Sequence, residues 1–259
     1  MSTRIRALVP FIPYIAVSIV HVVARFLDHP IDGPTKLMLM PALALGVIWA
    51  SASIRPWPRG VIALLVASVL FSWLGDGAAV FFPMFEDELP MMLLCFGLAH
   101  VGYLLLMWRA RGIAVRRIPV WAPLYVLAYV ALILILMPHT GALTFPVMIY
   151  GLLLAGTAAM ASRCGPVIAW GGAWFLVSDA ILSLRIFLPE SMPDWTSGMV
   201  MLTYTLGQGL IAAGITAALR RRAAQEAAGG LAGPAAPVHP AGPARSVGQG
   251  APEAPEATS

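Results

Sequence analysis

Eight apolar stretches of about 20 residues each dominate the sequence and limit what the chain can fold into. They lie at residues 7–27, 35–53, 61–82, 89–108, 119–138, 142–162, 166–188 and 196–219. A helix of about 20 apolar residues crosses the hydrocarbon core of a bilayer. Only 11% of the residues are charged, against roughly a quarter in soluble domains. The pattern predicts an all-α polytopic membrane protein with eight transmembrane helices.

The charges between these stretches alternate in sign along the chain. Loops of one set are rich in arginine, and loops of the other set carry aspartate and glutamate. The basic set holds Arg4 and Arg6; Arg55 and Arg59; Arg109, Arg111, Arg116 and Arg117; Arg163; and Arg220, Arg221 and Arg222. The acidic set holds Asp28 and Asp32; Glu86, Asp87 and Glu88; and Glu190 and Asp194. The positive-inside rule then predicts that both termini are cytoplasmic.

The ends of the chain differ in composition. The first apolar stretch is longer than the core of a signal peptide and no clear cleavage site follows it, so we interpret it as a retained helix. Residues 1–222 are predicted to form one transmembrane domain, and the Ala/Gly/Pro-rich residues 223–259 a disordered tail. The Ala/Arg/Pro-rich composition favours a bacterial plasma (inner) membrane. We expect the lipid bilayer as a partner and no nucleic acid, because no basic face is interleaved with aromatic residues.

Two carboxylates interrupt the apolar stretches, Asp76 in the third and Asp179 in the seventh. Both are expected at similar depth, in the half of the bilayer nearer the extracytoplasmic face. A buried aspartate costs about 2.5–3.5 kcal/mol on insertion, and an ionisable residue at membrane depth indicates a functional site. The structural alternative is an ion pair, for example between Asp179 and Arg185.

Other polar residues accompany the two carboxylates on helical spacing, so each pair is expected on one face. These residues are Ser68 and Ser72 before Asp76, Ser183 after Asp179, His100 with Tyr103, Tyr204 with Gln208, and Lys36 and Arg185 on the outer side. The alternatives are structural. Ser68 and Ser72 are favoured to bond their own i−4 carbonyls. The His–Tyr and Tyr–Gln pairs could join helices, and Lys36 and Arg185 could extend to lipid headgroups.

Five short blocks resemble, in order, those of the YhhN family of lysoplasmalogenases. They are TKLMLMPAL, SWLGDGAAVF, GLAHVGYLL, GAWFLVSDAILSLRIF and TYTLGQGLIAAG, and they fall within residues 35–216. One departure is that the family's usual Lys-Pro at the second helix reads Lys36-Leu37 here. The resemblance implies an eight-helix integral membrane hydrolase. Its substrate would be a lysoplasmalogen, a lysophospholipid whose vinyl ether is cleaved to a fatty aldehyde and glycerophosphoethanolamine or glycerophosphocholine.

The chemistry of that reaction assigns roles to the residues. A vinyl ether is hydrolysed by protonation of its β-carbon and addition of water to its α-carbon, which suits two carboxylates as in glycoside hydrolysis. Asp76 and Asp179 are the predicted catalytic pair. Asp76 is favoured as the acid because no basic residue is near it in sequence, and Arg185 is expected to keep Asp179 ionised. The predicted substrate-binding and orienting residues are Lys36, Ser72, His100, Tyr103, Ser178, Arg185, Tyr204 and Gln208, with Lys36 and Arg185 on the lipid phosphate.

Two other classes of protein stay open from the residues alone. Paired membrane carboxylates also relay protons in transporters, and a faint similarity between the third–fourth and seventh–eighth helices would fit a parallel repeat. A non-catalytic lipid-binding protein would tolerate the loss of either aspartate. No metal or other cofactor is expected, since the spacing of His and Asp fits no metal motif. The two cysteines, Cys95 and Cys164, are expected near opposite membrane faces and therefore unpaired.

Overall fold

The computed structural model describes residues 7–109, 113 and 117–231, and all regular structure in these residues is helical. The α-helices are α1 (Ile12–Phe26), α2 (Asp32–Ser51), α3 (Arg59–Asp76), α4 (Ala78–Phe81), α5 (Leu89–Arg109), α6 (Pro123–Leu136), α7 (Thr144–Ala161), α8 (Pro166–Phe187) and α9 (Thr196–Leu231). Short 3₁₀ turns lie at Val9–Phe11, Met137–His139, Gly141–Leu143 and Pro189–Ser191. The predicted all-α class is confirmed.

Seven helical segments are long and apolar enough to cross a membrane. They are Val9–Phe26, Asp32–Ser51, Arg59–Asp76, Leu89–Arg109, Gly141–Ala161, Pro166–Phe187 and Thr196–Ala228. The predicted fifth stretch corresponds to a shorter apolar helix, Pro123–His139. Prolines shorten it at both ends, because Pro123 fits the first turn of a helix and Pro138 lies in the 3₁₀ turn that ends it.

The third predicted stretch, residues 61–82, is not one helix. Helix α3 ends at Asp76, and the separate short helix α4 follows after Gly77. Gly77 has φ −105° and ψ 26°, outside the helical region, and glycine is a poor helix former. A Cβ there would lie 2.5 Å from the Phe81 ring and 2.8 Å from Leu37. Asp76 therefore occupies the last position of a helix, directly before a break.

The last helix is longer than the sequence predicted. It continues nine residues beyond Arg222, so residues 223–231 are helical and not part of a disordered tail. This segment is rich in alanine, the best helix former, and Arg222 forms an i,i+4 ion pair of 2.7 Å with Glu226. The rest of the predicted tail, residues 232–259, lies outside the described residues.

Close helix contacts build the core of the bundle. Helix α9 packs most extensively against α8, and α3 packs against α5. At the first contact Gly171 and Gly207 let the backbones approach, since a Cβ on Gly207 would lie 2.8 Å from the Phe175 nitrogen. Helices α6 and α7 form an antiparallel hairpin, in which the Tyr129 hydroxyl donates to the Met148 carbonyl at 3.0 Å.

The outer surface of the bundle is apolar, as a lipid-facing surface must be. Large side chains such as Leu45, Leu127, Leu152 and Trp170 are each more than 60% exposed. The described polar groups His100, Gln208, Ser72 and Asp179 are instead buried inside. This arrangement suits a protein whose solvent is lipid, because polar groups in a bilayer need partners within the protein.

Candidate functional site

The carboxylate of Asp76 is joined to a hydrogen-bond network from three helices. The Tyr204 hydroxyl of α9 donates to Asp76 Oδ2 at 2.8 Å. Gln208, one turn further, donates through Nε2 to Ser72 Oγ of α3 at 2.9 Å and lies 3.4 Å from the Tyr204 oxygen. The Tyr103 hydroxyl of α5 donates to Gln208 Oε1 at 2.5 Å. Each amide atom of Gln208 is therefore used, and the side chain fixes Tyr204 against Asp76.

The carboxylate of Asp179 is held by different partners. It is only 7% exposed. The Tyr150 hydroxyl of α7 donates to its Oδ2, and His100 Nε2 of α5 lies 4.0 Å from the same oxygen. The other ring nitrogen of His100 contacts Thr157 Oγ1 at 3.1 Å. Asp179 thus has a tyrosine donor, as Asp76 has, and an imidazole in addition.

The hydrogen bonds of Thr157 define the tautomer of His100. The Thr157 hydroxyl has one proton and donates it to the Leu153 carbonyl at 2.8 Å. It must therefore accept from His100 Nδ1–H, which leaves Nε2 of the neutral ring as an acceptor. That nitrogen is buried and has no hydrogen-bond partner among the described residues. A water can donate one hydrogen to Nε2 and the other to the Asp179 oxygen when these two acceptor atoms lie roughly 4–4.5 Å apart. The 4.0 Å separation suits such a water.

Aromatic rings join the two carboxylate sites. The Phe175 ring lies 4.7 Å from His100 and 5.5 Å from Tyr204, measured between ring centroids. Phe96 contacts Tyr204 and packs on Gly75, where a Cβ would lie 2.6 Å from its ring. The glycine before Asp76 therefore gives the space that the ring needs. A chain of contacts therefore runs from Asp76 through Tyr204, Phe175 and His100 to Asp179.

Two apolar cavities reach Asp179. A cavity of about 270 Å³ lies between α6, α7 and α8, and Tyr150, Asp179 and Ser183 are its polar members beside Tyr129. A smaller one of about 40 Å³ shares Asp179, Tyr150 and Ser183 and is also lined by Phe96 and Leu182. A long apolar chain fits these surroundings, and it would meet the carboxylate directly.

A polar cavity of about 230 Å³ lies at the expected outer ends of α1, α2, α8 and α9. Its charged and polar lining residues are His21, Arg25, Asp32, Lys36, Arg185 and Ser197. Leu182 lines both this cavity and the small cavity at Asp179. The ammonium of Lys36 is near enough to Asp76 to interact with it electrostatically.

Arg185 does not pair with Asp179. Its guanidinium donates to the Pro193 carbonyl at 3.0 Å and to Thr196 Oγ1 at 2.6 Å. The structural alternative of an Asp179–Arg185 ion pair is therefore wrong, and so is the expectation that Arg185 holds the charge of Asp179. Both rested on closeness along one helix, whereas the side chain extends toward the loop before α9.

The serines divide between structural and site contacts. Ser68 donates to the Leu64 carbonyl at 2.9 Å, so the favoured i−4 bond is confirmed there. Ser72 instead accepts from Gln208. Ser178 donates to the Val200 carbonyl of α9 at 3.0 Å. Ser178 therefore joins α8 to α9, and the structure does not bring it to the carboxylates.

Sequence reasoning missed Tyr150, Thr157 and His21. Tyr150 has no polar partner at helical spacing, and tyrosine is common near membrane interfaces. His21 does pair at i,i+4 with Arg25, and this spacing could have marked it. The groups that Tyr150 and His21 contact come from other helices, which only the tertiary structure shows. Among the residues that the structure describes, no group of three His, Cys, Asp or Glu side chains is arranged to hold a metal ion.

The fold and the site together define an all-helical membrane protein with two carboxylates among its helices, each bonded by a tyrosine. The model of the YhhN family matches residues 34–215, which include every residue that contacts the two carboxylates. The chain belongs to the YhhN family. No curated protein and no solved structure matches it.

Proposed function

We propose that the protein is a lysoplasmalogenase, which hydrolyses the vinyl ether bond of lysoplasmalogens to a fatty aldehyde and glycerophosphoethanolamine or glycerophosphocholine. One observation carries the proposal: contacts through Tyr204, Phe175 and His100 join Asp76 to Asp179. Only Asp179 has an imidazole beside it. Membership of the YhhN family is consistent with a hydrolase.

The two sites divide the reaction between them. His100 Nε2 and Asp179 provide two acceptors that can hold and deprotonate the attacking water, as a general base does. Asp76 has no such base beside it and is bonded by the Tyr204 hydroxyl. We therefore assign Asp76 as the proton donor. This keeps the role expected from the sequence and replaces its reasons, since Lys36 interacts with Asp76 from another helix and Arg185 does not contact Asp179.

The reaction then follows in balanced steps. Asp76 transfers its proton to the β-carbon, and the double bond becomes an oxocarbenium ion that the Asp179 carboxylate stabilises. Water held by His100 and Asp179 adds to the α-carbon and gives its proton to this pair. The resulting hemiacetal collapses as the bond between the α-carbon and the glycerol oxygen breaks. The glycerol oxygen takes the proton held by His100 and Asp179, and the hydroxyl proton passes to the Asp76 carboxylate, so both sites regain their starting protonation. One water is consumed, and aldehyde and alcohol are formed.

The cavities suggest how the substrate lies. The phosphate would bind Lys36 and Arg185 in the polar cavity, where charge-assisted hydrogen bonds are strong. The vinyl ether would lie beyond Leu182 at Asp179, and the alkenyl chain would extend into the 270 Å³ cavity. No cofactor has a role in this scheme.

The proposal includes a topology. Helix α6 with its 3₁₀ turn would form the eighth span, both termini would be cytoplasmic, and the membrane would be a bacterial plasma membrane. The alternation of basic and acidic loops supports this orientation. Both carboxylate sites would then face the outer half of the bilayer. Reporter fusions after residues 57, 113, 163 and 225 should all give cytoplasmic signals.

The function is tested by aldehyde release. Purified protein is supplied with lysoplasmalogen, with the saturated 1-alkyl analogue and with intact plasmalogen in deuterated water. We expect aldehyde from lysoplasmalogen only, with one solvent-derived deuterium on the carbon next to the carbonyl. Absence of aldehyde from every vinyl ether would refute the proposal. Uptake of a lipid or of protons by proteoliposomes would then indicate a transporter, and its absence a lipid-binding protein.

A further inference from the structure

The polar cavity contains a buried histidine that the proposed reaction does not use. His21 of α1 is 1% exposed and lines the cavity together with Lys36 and Arg185. Its Nε2 is buried and has no hydrogen-bond partner among the residues that the structure describes. Leaving a buried polar atom without a partner is unfavourable, so this nitrogen points to a ligand group that would bind it.

The partner of the other ring nitrogen determines what that ligand group must be. His21 Nδ1 lies 3.0 Å from Thr35 Oγ1. The Thr35 hydroxyl directs its one proton at the Ile31 carbonyl at 2.7 Å and so accepts from His21 Nδ1–H. In the neutral ring Nε2 is then an acceptor only. It needs an O–H or N–H donor, and an ester, an ether or a quaternary ammonium cannot supply one.

The position of His21 selects among the donors of a lysophospholipid. Arg25, one turn after His21 toward the outer end of α1, forms an ion pair of 2.7 Å with Asp32. Lys36 lies one turn inside Asp32 on α2. The Arg25–Asp32 pair therefore forms the rim of the cavity, and His21 and Lys36 lie deeper. In glycerol the sn-2 carbon lies between the phosphate-bearing and the ether-bearing carbons. Its hydroxyl would accordingly lie next to a phosphate held by Lys36 and Arg185, in the cavity that His21 also lines.

We propose that His21 Nε2 accepts a hydrogen bond from the free sn-2 hydroxyl of the lipid and makes the site selective for lysophospholipids over lipids acylated at sn-2. This inference rests on the proposed function for the identity of the lipid. Acylation removes the donor and leaves Nε2 buried without a partner. His21 acts as a specificity residue, and Thr35 fixes its tautomer.

The test measures binding, so that it is independent of catalysis. The ligands are 1-O-alkyl-2-hydroxy-glycerophosphoethanolamine, whose saturated ether is not hydrolysed by this route, and its 2-deoxy analogue. The wild-type protein should bind the hydroxyl ligand roughly three- to tenfold more tightly, the value of one neutral hydrogen bond. His21→Phe should bind both ligands equally, at the affinity of the wild type for the deoxy ligand.

Two further variants control the experiment. His21→Gln places an amide near the former position of Nε2 and should regain part of the preference for the hydroxyl. His139→Phe removes an exposed imidazole on the turn after α6 and should leave the preference unchanged. Equal binding of both ligands by the wild type, or a full preference in His21→Phe, would overturn the inference.

The outcomes also separate this inference from the proposed function. If the protein releases aldehyde from lysoplasmalogen but shows no preference for the hydroxyl ligand, the role of His21 is disproved and the proposed function stands. If the protein prefers the hydroxyl ligand through His21 but releases no aldehyde, the role of His21 in lipid binding stands and the proposed hydrolysis is disproved.

Discussion

The hydroxyl of Tyr150 gives the sharpest single-atom test of the site. It donates to the Asp179 carboxylate from α7, in an apolar cavity where Asp179 is only 7% exposed. A hydrogen bond to a charged group contributes about 1.5–3 kcal/mol, and 1.4 kcal/mol corresponds to a factor of ten in rate. Tyr150→Phe removes this one oxygen and keeps the ring. We expect kcat for aldehyde release to fall about 10- to 100-fold.

The assay is aldehyde release from lysoplasmalogen by purified variants in detergent. Tyr129→Phe is the matched control. Tyr129 lines the same cavity, and its exposed hydroxyl donates its one proton to the Met148 carbonyl. That control should stay within about twofold of the wild type. If Tyr150→Phe also stays within twofold, the Asp179 site does not take part in the reaction as we describe it.

Three further predictions concern the base, the helix contact and a thiol. His100→Phe removes the acceptor beside Asp179, so kcat should fall about 10²–10⁴-fold; an active variant would exclude His100 as the base. Gly207→Ala places a Cβ 2.8 Å from the Phe175 nitrogen and should lower stability by about 1–3 kcal/mol in thermal unfolding, whereas Gly60→Ala meets nothing within 4 Å and should not. Burial raises the pKa of the Cys164 thiol, in the turn between α7 and α8, to about 11. At pH 8 only about one thiol in a thousand is ionised. Iodoacetamide should therefore modify Cys164 far more slowly in folded than in unfolded protein, and the rate should rise with pH. Equal rates in folded and unfolded protein would show that the thiol is accessible and would contradict the prediction.

The sequence predicted the helices well because lipid imposes a simple rule on length and polarity. Seven of the eight apolar stretches became long apolar helices, and the exception starts late at Pro123. The break at Gly77 was missed, since hydropathy does not register a glycine within an apolar run. The helical end at residues 223–231 was missed because alanine-rich composition was taken for disorder.

The candidate site was predictable to the extent that its residues repeat at helical spacing. Tyr204 and Gln208 do share a face and do meet Asp76 and Ser72. Contacts between helices could not be inferred from one sequence, and for this reason Tyr150 went unnoticed and Arg185 was given the wrong partner. Separation along the sequence also gave a wrong expectation for Asp76. No basic residue is near it in sequence, but Lys36 interacts with it from another helix.

The central claim is that Asp76 and Asp179 together hydrolyse a vinyl ether. Its most direct test is the rate of aldehyde release from lysoplasmalogen by Asp76→Asn and Asp179→Asn, each purified and shown to be folded by its thermal unfolding. Loss of a positioned acid or base removes about 10²–10⁴ in rate, so both variants should turn over at most about one hundredth as fast as the wild type. Normal turnover by either folded variant would contradict the claim.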